Sequence, residues 1–293
     1  MTISIIGVGK IGGALAIALA RKGYKIENLV SRNQEKSQKI AGFVSANWLG
    51  GSPEELSKIT SEVIIISVQD YNIEAVADEL AKNIKHTPTV FHLSGSLSSD
   101  ILQNLKKNGC QTGSIHPLVS ISDSVLGANR FSDVYYCVEG DAKAIEIAKN
   151  LVADLEGKTF EIDSKFKTLY HASAVTACGH LVALFDVACE MLSKCGLSEA
   201  QSKEILFPLV ESTISNLKNQ TNAAALTGTF ARADEETFEK HLIALKENVS
   251  DAAIETYLQL GARSVHLAEE QGADKDKLEI LSNKISLAKK YFK

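Results

Sequence analysis

The chain has 293 residues, of which 45% are hydrophobic and 23% are charged, a composition typical of a globular protein with one large or two ordinary domains. The net charge of -5 argues against binding to nucleic acid or to an anionic membrane. Five cysteines without zinc-site spacing predict reduced thiols and no metal. No basic leader is visible and no apolar run reaches transmembrane length, residues 172–192 coming closest, so we expect a cytoplasmic protein.

The first elements predict a dinucleotide-binding turn. A short apolar strand leads into Gly7-Val8-Gly9-Lys10-Ile11-Gly12, and a strongly helix-forming apolar stretch follows without a gap. Gly7 suits a tight turn, Gly9 lets the backbone approach a pyrophosphate, and Gly12 lets helix and strand pack closely. The helix N-terminus offers free N–H groups to phosphates. We therefore expect residues 7–12 to bind the cofactor; the alternative is a glycine turn without a ligand.

The end of the second predicted strand indicates which cofactor is bound. Residues 26–30 form this strand, and Ser31-Arg32-Asn33 follow it. An NAD site would place a carboxylate here to bind the ribose hydroxyls, but a hydroxyl and a guanidinium stand in its place. Because a guanidinium offers charge and several donors to a 2′-phosphate, the sequence favours NADP(H). The alternative is that Arg32 is a solvated surface residue.

The elements that follow predict two domains. Residues 48–53 are predicted as a turn, and further strands are predicted at residues 62–68, 89–93, 113–118, 134–140 and 159–162. Helices alternate with these strands, which is typical of a doubly wound α/β sheet. From residue 165 onward the pattern is helical. We therefore expect a Rossmann domain over residues 1–163 and an all-helical domain over residues 164–293.

Polar residues follow two of the predicted parallel strands. Ser67-Val68-Gln69 come after one strand and Ser94-Gly95-Ser96 after another. Ligands of open α/β sheets bind beyond the carboxyl ends of the strands, so these residues are expected to line the ribose and nicotinamide. Ser94 and Ser96 could reach the carboxamide or the substrate. Ordinary turn chemistry is the alternative for both serines.

Three stretches resemble a known family. They are Ser114-Ile115-His116-Pro117-Leu118, Lys167-Thr168-Leu169-Tyr170-His171-Ala172-Ser173-Ala174, and Leu226-Thr227-Gly228-Thr229-Phe230-Ala231-Arg232-Ala233-Asp234. With the glycine turn, they resemble the 6-phosphogluconate dehydrogenase-like superfamily. Within it they resemble Rossmann-like proteins with a helical C-terminal domain of unknown function, which include an alternative type of ketopantoate reductase. Thr229 and Gly179 depart from that pattern, where the family suggests a proline and an asparagine.

The resemblance implies a set of catalytic residues. Lys167 and His171 resemble a Lys-x-x-x-Asn pair that faces the nicotinamide in related dehydrogenases, so Lys167 is the predicted proton donor to a reduced carbonyl. His116 resembles a histidine of prephenate dehydrogenases that works at the substrate hydroxyl. Either histidine could replace Lys167 as the donor. Arg232 could clamp a substrate carboxylate. The alternatives are a structural histidine at 116 and a solvated lysine at 167.

The sequence thus predicts an NADPH-dependent reductase of a small carbonyl compound that carries a carboxylate. By resemblance, the best candidate reaction is the reduction of 2-dehydropantoate (ketopantoate) to pantoate. An imine reductase similar to pyrroline-5-carboxylate reductase and a non-catalytic NADP-binding regulatory protein are the alternatives. The superfamily further implies a homodimer formed through the helical domain. We expect a small-molecule substrate and, from the net charge and the lack of a transmembrane run, neither nucleic acid nor membrane as partner.

Overall fold

The computed structural model describes residues 1–291, which form eight strands and thirteen α-helices. The strands are β1 (Thr2–Ile6), β2 (Lys25–Val30), β3 (Asn47–Leu49), β4 (Val63–Ile66), β5 (Thr89–His92), β6 (Gln111–Pro117), β7 (Tyr135–Gly140) and β8 (Lys158–Phe160). The helices are α1 (Lys10–Arg21), α2 (Gln34–Val44), α3 (Pro53–Leu56), α4 (Asp70–Asn83), α5 (Gln103–Lys107), α6 (Ser124–Gly127), α7 (Ala142–Asp154), α8 (Lys167–Lys194), α9 (Glu199–Asn219), α10 (Asn222–Ala225), α11 (Glu235–Asn248), α12 (Asp251–Glu270) and α13 (Lys275–Tyr291).

The eight strands form one sheet in the order β3-β2-β1-β4-β5-β6-β7-β8. The six strands from β3 to β6 in this order run parallel to one another. Strand β7 runs antiparallel to β6, and β8 runs parallel to β7. The chain order reverses across β1, because β2 lies on one side of it and β4 on the other. This switch point is where doubly wound sheets bind nucleotides. The predicted Rossmann domain followed by a helical region is confirmed.

The central strands are buried on both faces. In β4 the residues alternate between two apolar clusters, with Val63 and Ile65 facing one and Ile64 and Ile66 the other. Helices α1 and α7 cover the first face, and α4 and α5 cover the second. A strand sandwiched in this way needs a continuous apolar run rather than alternation, which is why β4 could be recognised from its sequence.

One local prediction was wrong. Residues 48–53 were expected to form a turn, but Asn47–Leu49 is an edge strand paired in parallel with β2. Only three residues of this strand pair with β2. The Trp48 indole N–H donates to the Ser31 carbonyl at 3.1 Å. A strand this short shows no alternation, so nearby turn-forming residues dominated the prediction.

The chain divides into two compact units, Met1–Cys178 and Gly179–Lys293, with the division inside α8. The second unit contains its own apolar core, in which Phe238, Leu258 and Leu281 are buried. The expected domain limit after residue 163 stays a prediction.

Helix α8 has an unusual burial pattern. Of its 28 residues, all of which the structure describes, only Lys167 is buried. The stretch Ser164–Lys194 is long and apolar enough to cross a membrane by length and composition alone, with a mean hydropathy of 1.6 in its most apolar window. That test is weak evidence for one helix, since helices of soluble proteins also pass it. The expectation of no membrane partner stays a prediction.

Candidate active site

A groove of about 810 Å³ opens at the carboxyl ends of β1, β2 and β4. It is lined by residues that follow these strands and by one side of α4: Ile6, Gly7, Val8, Gly9, Val30, Ser31, Arg32, Asn33, Lys36, Gly50, Gly51, Leu56, Ser67, Val68, Gln69, Asn72, Ala75, Val76 and Glu79. Nine of the predicted cofactor residues are in this lining. The predicted residues Lys10, Ile11, Gly12 and Ser94 are outside it.

The three glycines of the turn have different surroundings. Gly7 has a φ of +99°, and a Cβ on it would lie 2.5 Å from the Ser67 carbonyl oxygen. A Cβ on Gly12 would lie 2.2 Å from the Gly7 oxygen. A Cβ on Gly9 would meet no atom within 4 Å. Gly7 and Gly12 are therefore required by packing, whereas Gly9 borders open space in the groove.

Two observations fit this groove to a dinucleotide. The bare backbone of Gly9 at the N-terminus of α1 leaves room for a pyrophosphate, where free N–H groups and the helix dipole favour an anion. The buried Ser67 hydroxyl has no hydrogen-bond partner within the described residues. An unsatisfied buried hydroxyl beside the glycine turn is suited to a polar ligand.

The part of the groove next to the end of β2 is basic. Arg32 and Lys36 both line it, with Ser31 and Asn33 between strand and helix. The Asn33 side chain caps α2 by accepting from the Lys36 N–H at 2.9 Å, and Ser31 Oγ accepts from the Asn33 N–H at 3.0 Å. These bonds fix the backbone from which both cations project. Lys36 was not predicted, although its place in the first turn of the helix that follows Arg32 was a usable signal.

The serines after β5 converge on a carboxylate. Ser94 Oγ and Ser96 Oγ donate to the same Asp70 oxygen, at 2.8 and 2.7 Å. Asp70 is the first residue of α4, directly after Gln69. The loop after β5 is thereby tied to the loop after β4. Asp70 was not predicted, because its partners are 24 and 26 residues away in the chain.

His92 holds the base of the same loop. Its Nδ1 accepts from the Ser94 N–H at 3.2 Å, so its Nε2 carries the hydrogen and donates to the Ser98 carbonyl at 3.2 Å. Burial, together with the nearby Lys167 charge, lowers the pKa of His92 to about 3. His92 is therefore a neutral structural residue of this loop.

The structure brings two of the predicted catalytic residues together. The His116 and His171 rings lie 5.7 Å apart, edge to face. Both rings press on Gly95, where a Cβ would lie 2.7 Å from His116 Cε1 and 2.7 Å from His171 Cδ2. The Tyr170 hydroxyl lies 2.6 Å from His116 Nδ1. Tyr170 was not predicted as a site residue. Gly95 was expected to line the cofactor, but its contact with both imidazoles, which only a residue without a side chain admits, was not predicted.

His116 is neutral under ordinary conditions. Burial, then the charges of His171 and Lys167, lower the pKa of His116 to about 4. A neutral imidazole can donate one hydrogen bond and accept another, but it is a poor source of protons.

Lys167 has an environment that the sequence did not suggest. Its side chain is 1% exposed, and its ammonium donates to Ser114 Oγ at 2.5 Å and to Glu139 at 3.1 Å. The same Glu139 carboxylate accepts from the backbone N–H and hydroxyl of Ser99. Burial lowers the pKa of Lys167, and Glu139 opposes that effect. The expected alternative of a solvated lysine is wrong, while its role as proton donor stays a prediction.

Arg232 lies in the second compact unit. It is exposed, and its guanidinium is 4.0 Å from the Asp234 carboxylate. Asp234 in turn caps α11 by accepting from the Thr237 N–H. The role of Arg232 in substrate binding stays a prediction.

We expect the protein to lose stability as the pH falls from about 6.5 to 5. The pKa values of His92 and His116 are lower in the folded chain than their ordinary 6.5, so the unfolded chain binds more protons in this range. For His92 alone the change from pH 7 to pH 5 is about 2 kcal/mol, at ~1.4 kcal/mol per pKa unit. Urea unfolding at pH 7, 6 and 5 measures it.

The pH dependence of unfolding has a matched control. His92→Gln should be less sensitive to pH than the unmodified protein by about 2 kcal/mol over this range. His266→Gln, at an exposed position of α12, should keep the full sensitivity. Equal pH dependence of all three proteins would contradict the neutral buried state of His92.

Comparison with known families supports this description of the groove. Residues 2–91 match the family described as NADP oxidoreductase, coenzyme F420-dependent. Residues 134–264 match the family described as a domain of unknown function, DUF2520. The first match confirms NADP(H) as the cofactor and the coarse class of NADP-dependent oxidoreductase. The second agrees with the expected family with a C-terminal domain of unknown function.

Solved structures share the fold over nearly the whole chain. A protein from Thermotoga maritima is 23% identical, with a TM-score of 0.75, and the match covers 91% of this chain and 99% of that one. A candidate NADP oxidoreductase from Bacteroides fragilis is 22% identical, with a TM-score of 0.73 and coverage of 92% and 98%. Pyrroline carboxylate reductase from Plasmodium falciparum, solved with NADP bound, is 12% identical, with a TM-score of 0.59 and coverage of 97% for each chain. No curated protein matches significantly.

Proposed function

We propose that the protein is an NADPH-dependent reductase of a small carbonyl compound that carries a carboxylate, with ketopantoate as the first candidate. The observation that carries the proposal is the pair of imidazoles, His116 and His171, held against Gly95 just beyond the carboxyl end of β5. In sheets of this topology the reacting end of the cofactor lies at that edge. A polar group is thus available where a carbonyl oxygen would gain charge.

In the proposed reduction, each residue near Gly95 has a separate role. NADPH, when bound in the groove, would be the source of the hydride for the carbonyl carbon. The Ser94–Asp70–Ser96 group holds the loop next to the reacting carbon. His116 and His171 contact the carbonyl oxygen, and Lys167 gives that oxygen its proton. Burial supports the last role, because the lowered pKa of Lys167 makes its ammonium a stronger acid.

The proposed substrate class is tested by following NADPH absorbance with a panel of compounds. Ketopantoate should be reduced faster than smaller 2-oxo acids and faster than pyrroline-5-carboxylate. Gly95→Ala is the matched control, since its Cβ displaces both imidazoles and should stop turnover while NADPH binding remains. Fast reduction of the cyclic imine alone would favour the alternative reductase, whose fold this chain shares. NADPH binding without any oxidation would favour a regulatory protein.

The cofactor preference follows from the basic end of the groove. We expect NADPH to bind more tightly than NADH, and Arg32→Ala to remove most of the difference. A charged hydrogen bond is worth ~1.5–3 kcal/mol, so the loss should be roughly 10- to 100-fold for NADPH alone. Fluorescence titration of both reduced cofactors measures it.

Lys36 and Lys39 provide the comparison for Arg32. Lys36 lines the groove, so Lys36→Ala should also weaken NADPH more than NADH. Lys39 is an exposed residue of the same helix outside the groove, and Lys39→Ala should change neither affinity. Equal affinity of the unmodified protein for the two cofactors would contradict the proposed 2′-phosphate site.

We expect a homodimer formed through the helical unit. Large apolar side chains on the second part of α8 and on α9 are exposed in the single chain, among them Val182, Phe207 and Leu209. Large apolar side chains exposed on two helices of one unit are typical of a surface that binds another protein chain. Light scattering at micromolar concentration should give twice the 31.6 kDa chain mass.

Substitution of single exposed apolar residues by glutamate tests which surface forms the dimer. Val182→Glu should shift the mass toward the monomer, because a carboxylate would be buried without a partner. Ile243 on α11 is also exposed, and Ile243→Glu should leave the mass unchanged. A monomeric unmodified protein would overturn the expectation.

A further inference from the structure

The contact between Tyr170 and His116 determines which nitrogen of the imidazole can serve the substrate. Tyr170 Oη lies 2.6 Å from His116 Nδ1, and the two rings meet edge to face with centroids 5.5 Å apart. Phe160 also packs edge to face with the Tyr170 ring, at 5.7 Å between centroids. The phenol ring is therefore packed against two aromatic rings, and its hydroxyl contacts one nitrogen of His116.

Two hydrogen-bond arrangements are possible, and they leave different groups without a partner in the described residues. If Tyr170 donates to Nδ1, the neutral imidazole carries its hydrogen on Nε2. If Nδ1 instead donates to the phenol oxygen, the Tyr170 O–H has no acceptor within the described residues, since His116 is its one hydrogen-bond partner there. Burial raises the pKa of Tyr170, so its hydroxyl stays protonated and able to donate. Among the described residues, the first arrangement leaves one group unpaired, the Nε2–H, whereas the second leaves both the phenol hydrogen and the Nε2 lone pair unpaired, which favours the first.

The free nitrogen faces the reacting edge of the sheet. A Cβ on Gly95 would lie 2.8 Å from His116 Nε2, so this nitrogen is next to the bare backbone that follows β5. Nε2 has no hydrogen-bond partner within the described residues. The charged and titratable groups around His116 are Tyr170, His171, Lys167, Asp70 and His92, and burial leaves the imidazole neutral with a pKa of about 4.

We propose that Tyr170 is a positioning residue that holds His116 as the neutral tautomer with its hydrogen on Nε2, directed at the substrate oxygen. This rests on the proposed reductase function. When hydride adds to the carbon, the π electrons of the carbonyl move onto oxygen. Nε2–H then donates a hydrogen bond to that oxygen and keeps its proton, while Lys167 transfers the proton that completes the alcohol.

A protein uniformly labelled with ¹⁵N tests the tautomer directly. Two-bond ¹H–¹⁵N correlation spectra of the full chain with NADP⁺ at pH 7 should show His116 protonated on Nε2. His92 is an internal reference, because the Ser94 N–H already fixes its hydrogen on Nε2. Tyr170→Phe should shift the His116 tautomer ratio about fivefold toward Nδ1–H, the equivalent of one neutral hydrogen bond. The His92 signals should not change.

Kinetics test the positioning role. Tyr170→Phe should lower kcat about fivefold with little change in the KM for NADPH. His116→Gln places an amide N–H near the former Nε2 and should retain more turnover than His116→Asn. Adding Tyr170→Phe to His116→Gln should have no further effect. Tyr24→Phe, which removes a phenol hydroxyl bonded to Asp154, should leave kcat unchanged.

The outcomes separate the inference from the proposed function. An Nδ1–H tautomer in the unmodified protein, or a tautomer unaffected by Tyr170→Phe, overturns the inference. The expected tautomer response with turnover unaffected by any His116 variant supports the action of Tyr170 on His116 but overturns the proposed use of this site.

Discussion

Gly9→Ala is expected to weaken NADPH binding by roughly 10- to 100-fold while leaving the free energy of unfolding nearly unchanged, as for one overpacked contact of ~1–3 kcal/mol. Gly9 has an extended backbone, with φ of -80°, that alanine also adopts, and its Cβ would meet no protein atom within 4 Å. The added methyl group would therefore clash only with a ligand that approaches the backbone. NADPH fluorescence titration and urea unfolding measure the two effects.

Gly12→Ala is the matched comparison, three residues along the same turn. Its Cβ would lie 2.2 Å from the Gly7 carbonyl oxygen and 2.8 Å from Ser67 Oγ, so backbone has to move. We expect a loss of ~1–3 kcal/mol or more in the free energy of unfolding. If Gly9→Ala binds NADPH normally, the groove does not hold the pyrophosphate at this turn. If Gly12→Ala is as stable as the unmodified protein, α1 does not pack closely on the sheet at Gly12.

Local patterns in the sequence predicted the nucleotide half of the site. The turn from Gly7 to Gly12 joins one strand directly to one helix, and the groove residues at Ser31 and Ser67 immediately follow strands. Such residues reach the carboxyl edge by topology alone, without knowledge of distant contacts. This is why nine predicted cofactor residues line the groove.

The half of the site that contains the proposed catalytic residues is formed by contacts between residues distant in the sequence. Glu139 is 28 residues from Lys167, and Ser114 is 53 residues from it. Nothing in the residues around Lys167 indicates that β6 and β7 will enclose its ammonium. Asp70 was missed for the same reason, because its serine partners lie in the loop that follows the neighbouring strand β5. The resemblance identified Lys167, but the pairing that defines its chemistry appears only in the folded chain.

Lys167→Met is expected to reduce both stability and turnover. Removing the ammonium leaves the Glu139 carboxylate largely buried without its cation, which costs ~3–5 kcal/mol for a buried ion pair. It also removes the proposed proton donor, and general acid catalysis is worth ~100- to 10,000-fold. We expect kcat for the reduced substrate to fall at least ~100-fold. Urea unfolding and NADPH oxidation, measured at a temperature where the variant is folded, give the two quantities.

The double variant Lys167→Met with Glu139→Gln separates the two roles of Lys167. The neutral amide can still accept from the Ser99 N–H, so no unpaired charge is buried and much of the lost stability should return. Turnover should stay low, because no acid has been restored. If turnover returns together with stability, Lys167 acts only by anchoring the first turn of α8 to the sheet. In that case the proton comes from an imidazole, and loss of turnover in His171→Ala would identify which one.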